Sequence, residues 1–121
     1  MRRGVKILVL AMVMAGLVAG AASAVTFINI ATGSTGGSYY PLGAAMAKIW
    51  DDNIEGIKAS AQSTGGTVNN IELMGSGEAE VAFMDGLYYY AYLGMDKFEG
   101  NPQDHIRALV PLYPEPTQLM V

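Results

Sequence analysis

Cysteine is absent from the 121 residues, which excludes a disulfide framework and the modified cysteine of a lipid-anchored lipoprotein. Histidine is nearly absent. His105 stands alone after a polar loop, with no Gly-x-Ser-x-Gly nucleophile and no cysteine for it to serve. No metal-ligand spacing is present, so neither a metal nor a cofactor is expected. Basic residues are scarce beyond the first six positions: between residues 25 and 121, Lys48, Lys58, Lys97 and Arg107 face eleven acidic side chains, a formal charge of −7. That balance argues against nucleic acid or an anionic membrane surface as partner.

Only one long apolar run occurs. Residues 1–6 are basic, residues 7–20 form an apolar stretch of fourteen, and Ala22-Ser23-Ala24 is a small-x-small site. A membrane anchor needs about twenty apolar residues. The pattern therefore predicts a secretory signal peptide over residues 1–24 and a soluble, exported product of residues 25–121. A chain of that size makes one small domain with a modest core.

The rest is organised around residues 31–42, Ala-Thr-Gly-Ser-Thr-Gly-Gly-Ser-Tyr-Tyr-Pro-Leu. An alternating apolar run over 25–30 precedes it and predicts a strand. A helical pattern to Trp50 follows, beginning at Tyr40 or Pro41, with Leu42, Ala45, Met46 and Ile49 on one face and Asp51-Asp52-Asn53 as its stop. The stretch is thus a strand-to-helix turn. Its three glycines allow backbone conformations closed to other residues, Pro41 suits a first helical turn, and Ser34, Thr35, Ser38, Tyr39 and Tyr40 supply hydroxyls around free amides. A turn of this kind cradles anions. The same chemistry recurs at Ser63-Thr64-Gly65-Gly66-Thr67, after a predicted strand over 56–62 and before a short helix with Thr67 as cap and Val68, Ile71 and Met74 as apolar face.

A third strand is predicted over 79–84, leading into Asp85-Gly86, then a helix over 87–93 stopped by Gly94. Residues 96–104 read as a loop, and 107–113 and 117–121 as further strands. Strands alternating with helices imply an α/β fold with a mostly parallel sheet, in which ligands bind beyond the carboxyl ends of the strands. Residues 31–40, 63–67 and 85–89 all fall at such ends. Asp85 could accept from a ligand ammonium group or cap the next helix. The tyrosines at 39, 40 and 88–90 could offer phenols to a carboxylate or simply pack.

The glycine turns fit neither a Walker loop nor a dinucleotide fingerprint. The blocks 32–43, 63–70, 73–80 and 85–92 resemble the TAXI family, the substrate-binding receptors of one class of tripartite ATP-independent periplasmic (TRAP) transporters. The resemblance runs from about residue 27 to 121. It implies a type II periplasmic binding protein-like fold, a small carboxylate ligand such as glutamate or a related dicarboxylate, integral membrane transporter subunits as partners, and no enzymatic activity. Carried onto this chain, it implies ligand contacts at Ser34, Thr35, Gly36, Tyr39 or Tyr40, at Ser63, Gly65, Gly66 and Thr67, and at Asp85 and nearby tyrosines, Tyr88 among them. Family members are longer, so the resemblance implies a partial first lobe. Two other readings stand beside it: a secreted interaction domain whose Tyr-rich segment is an exposed face, and a small secreted hydrolase using the turns as an oxyanion hole. No nucleophile and base can be named for the latter.

Overall fold

The structure is a computed structural model that describes Gly4 and residues 24–114. The leader and the strand expected over 117–121 lie outside the described residues, apart from Gly4 and Ala24.

Strand β1 spans Thr26–Ala31, strand β2 Ile57–Gln62 and the short strand β3 Val81–Ala82. All pair in parallel in the order β2-β1-β3, with Thr26 opposite Ile57, Ala31 opposite Gln62, and Ile30 opposite Val81. Parallel neighbours need crossovers, and helices supply them: α1 over Tyr39–Asn53, α2 over Thr67–Ser76, and α3 over Leu87–Leu93 after β3. The expected α/β architecture with a parallel sheet is what the chain adopts, compatible with a partial periplasmic-binding-protein-like lobe.

Two apolar clusters hold it together. Ile30, Ala47 and Phe83 are buried with Ile28, Tyr39, Met46, Trp50, Ala59 and Val81 around them. Ile71, Ala91 and Ile106 form the second, with Met74, Met84, Tyr88 and Phe98. The face that α1 turns inward is therefore Tyr39, Gly43, Met46, Ala47 and Trp50, not the expected stripe. Leu42 and Ile49 are 41% and 58% exposed. Size decides this: a Cβ on Gly43 would collide with the Thr32 methyl, so glycine lets the helix lie close on β1.

Helix α1 also runs three residues past its expected stop at Trp50. Its polar end is satisfied locally, because Lys48 Nζ pairs with Asp52 at 2.8 Å, Asn53 donates to the Ile49 carbonyl at 2.8 Å, and Asp51 accepts the Ala59 amide at 2.6 Å. Helix α3 and its left-handed Gly94 stop agree with the sequence reading. Residues 107–113 do not form the expected strand. Arg107 spends its guanidinium on the carbonyls of Asp104 and Ile106, and Pro111 brings no amide to a ladder. Strand β3 is shorter than expected because its ladder ends early: the Phe83 amide still reaches the Ala31 carbonyl, but the Asp85 amide turns to the Thr67 hydroxyl.

Candidate functional site

The carboxyl ends of β1 and β2 continue into two loops that are bonded to each other. Thr32 donates from both amide (3.0 Å) and hydroxyl (2.6 Å) to the Gln62 carbonyl. The Gly33 carbonyl accepts the Thr64 amide at 3.1 Å and the Ser63 hydroxyl at 3.0 Å. Ser63, expected to meet a ligand, is thus a tie between loops.

Behind them sits Asn70, which is fully buried. Its amide nitrogen donates to the carbonyls of Thr32 and Phe83, each at 2.7 Å, and its oxygen accepts the Thr64 hydroxyl at 2.6 Å. One side chain on α2 therefore fastens the ends of β1 and β3 and the second loop.

Between the loops opens a cleft of about 480 Å³. The first loop lines it with Gly33, Ser34, Gly37, Ser38 and Tyr39, the second with Thr64, Gly65, Gly66 and Thr67, and the end of the β3 segment with Asp85. Helices α1 and α2 both begin here. Ser38 and Gly66 stand at their N-caps, and neither makes a side-chain cap. The first-turn amides of two helices, with the positive ends of their dipoles, face this space without a capping oxygen. No Lys, Arg or His lines it, and Asp85 is its single carboxylate.

Of the residues singled out in the sequence, the structure gathers Ser34, Tyr39, Gly65, Gly66, Thr67 and Asp85 around this cleft. Thr35 and Gly36 sit at the exposed tip of the Ser34–Gly37 turn, and Tyr40 lies outside the lining. Tyr88 faces a neighbouring apolar groove, where its hydroxyl donates to the Ile106 carbonyl at 3.4 Å. Tyr39 has its ring against Phe83 with centroids 5.4 Å apart. Tyr89, Tyr90 and Tyr92 are exposed.

Two local expectations need correction. Thr67 is the first helical residue rather than the cap, and its hydroxyl accepts the Asp85 amide at 3.1 Å. Gly33, Gly36 and Gly37 keep ordinary backbone angles; the glycine that uses its freedom is Gly66, at φ 92°. Asp85 does brace the next helix, since its Oδ1 accepts the Leu87 amide at 2.9 Å. The sequence reading left out Gly33, Gly37, Thr64 and the anchoring Asn70.

Among the described residues no group of three His, Asp or Glu could hold a metal ion, and no helix is long and apolar enough to cross a membrane. A polar cleft at the carboxyl edge of a parallel sheet, floored by helix starts, suits a small molecule rather than a macromolecule. Comparison with known families agrees: the model of the NMT1-like family matches residues 30–121. That family is periplasmic-binding-protein-like, with a solute-binding role in general. By that match, which takes in both loops, both uncapped helix starts and Asp85, the chain belongs to the NMT1-like family.

Proposed function

We propose that this chain is a periplasmic solute-binding receptor of a TRAP-type secondary transporter. It captures a small carboxylate, glutamate-like or a dicarboxylate, and delivers it to integral membrane subunits. The observation that carries this reading is the convergence of the uncapped starts of α1 and α2 on one cleft of about 480 Å³. Backbone amides there can donate to a carboxylate, and Ser34, Ser38 and Thr64 add hydroxyls around it. Capture needs donors and shape, not a nucleophile, so the protein binds without catalysing. Export by the amino-terminal leader would place it beside its membrane partners.

The test is calorimetric titration of the full chain with glutamate, aspartate, succinate and glutarate, with glucose as the uncharged control. Saturable one-to-one binding of a carboxylate and none of glucose is the expected result. Gly65→Glu puts a carboxylate at the start of α2, where an added Cβ meets only ordinary contacts with Asn69. It should abolish binding while leaving the unfolding midpoint in place. No saturable carboxylate binding to the unaltered chain overturns the proposal. Delivery is tested separately, by uptake into vesicles carrying TRAP-type membrane subunits with and without added protein.

A further inference from the structure

Asp85 creates a problem for a simple dicarboxylate and an opportunity for another ligand. Its backbone amide is held by the Thr67 hydroxyl, which fixes it at the rim beside the start of α2. Its Oδ1 is engaged by the Leu87 amide, while Oδ2 has no partner among the described residues and the side chain is exposed. Neither ion pair among the described residues involves it. Arg107, which shares the neighbouring groove with Asp85, is turned onto the carbonyls of Asp104 and Ile106.

The charge balance of the cleft then selects its ligand. Two helix starts contribute roughly half a positive charge each, and Asp85 contributes one full negative charge, so the cleft is close to neutral. A dicarboxylate would bring two negative charges to a space with no cationic side chain to meet them. An α-amino acid brings its opposite charges on one carbon, a carboxylate for the amides and an ammonium for Asp85 Oδ2. We propose that Asp85 receives the ammonium group of the ligand, and that the cleft takes α-amino acids in preference to dicarboxylates and 2-oxoacids. This rests on the receptor reading above and narrows its substrate class.

The decisive comparison is glutamate against 2-oxoglutarate, which differ at C2 by an ammonium or an oxo group, with glutarate as a third ligand that has neither. Titrations use the full chain and its Asp85→Asn variant. Asparagine keeps an oxygen for the Leu87 amide and loses only the charge, and cooperative thermal unfolding at an unchanged midpoint verifies the fold. Unaltered protein should bind glutamate at least tenfold more tightly than either other ligand. The variant should lose about ten- to a hundredfold for glutamate, the worth of one charge-assisted hydrogen bond, and lose nothing for 2-oxoglutarate.

Equal or tighter binding of 2-oxoglutarate by the unaltered chain overturns the inference and leaves a carboxylate receptor standing. A glutamate preference that survives intact in Asp85→Asn overturns it as well. Binding of none of the three removes the receptor reading itself, and this inference with it. Should the variant fail to fold, the glutamate to 2-oxoglutarate ratio of the unaltered chain decides alone.

Discussion

Replacing Asn70 should cost more than any other single substitution in the described fold. Its amide is the partner of two carbonyls, Thr32 and Phe83, at 2.7 Å, and its oxygen is the partner of the Thr64 hydroxyl at 2.6 Å. Alanine strands all three, and the two carbonyls have little access to water because Thr32 and Phe83 are buried. Each stranded buried group costs about 1–3 kcal/mol, so Asn70→Ala should lose roughly 2–6 kcal/mol. A small domain has about 5–15 kcal/mol in all. At about 4–8 °C per kcal/mol for a chain of this size, the thermal midpoint should fall by at least ~10 °C, and the larger losses would abolish cooperative unfolding. Asn70→Asp is the sharper control. It keeps an acceptor for Thr64 but sets a carboxylate against two carbonyls, so it should be no more stable than alanine at neutral pH and should recover as acid protonates it. The assay is circular dichroism melting of the full chain. A midpoint within about 3 °C of the unaltered protein for Asn70→Ala would refute the clamp, because so small a shift leaves under ~1 kcal/mol for three hydrogen bonds.

Other perturbations follow from packing and charge. Gly43→Ala would drive a methyl into the Thr32 side chain beneath α1, and chemical denaturation should show a loss of about 1–3 kcal/mol as the helix is pushed off the sheet. The Ala59 amide, and after it Lys58, hold the Asp51 carboxyl below its ordinary value of 3.8, against a smaller opposing effect of desolvation. A group whose value is lowered by folding contributes stability that is full above 3.8 and vanishes as pH falls through the lowered folded value. Asp51→Asn should therefore flatten the acid limb of a stability–pH profile below about pH 4 while leaving its neutral region nearly parallel. An unchanged acid limb would count against this coupling of α1 to β2.

Much of the fold could be read from the chain because its signals are local and agree. The alternation of Thr26–Ala31 and the run Leu87–Leu93 before Gly94 each form the element they announce. What resisted reading depended on distant partners. Leu42 and Ile49 look like core until Gly43 is seen against Thr32, since a close helix–sheet contact rewards small residues over large ones. Residues 107–113 look like a strand, but strand formation depends on a partner edge, and Arg107 satisfies neighbouring carbonyls instead. The candidate site was legible as two glycine–hydroxyl loops placed alike after two strands. Asn70 was not, because an asparagine in a helix usually faces water. A signal did exist: positions 67, 70, 71 and 74 form one inward stripe on α2, and a polar residue in such a stripe must have partners.

The bonds that run from Thr32 to Gln62 and from Gly33 to Ser63 and Thr64 have a thermodynamic consequence. They extend the β1–β2 ladder beyond its last paired residues, so the two loops share one frame and cannot swing apart without breaking it. A ligand entering the cleft finds its donors already fixed at their working separation. The ordering cost that a pair of independent flexible loops would levy on each binding event was met once, when the chain folded. Amides at the roots of both loops should accordingly exchange with solvent at closely similar slow rates, opening as a single unit rather than one after the other.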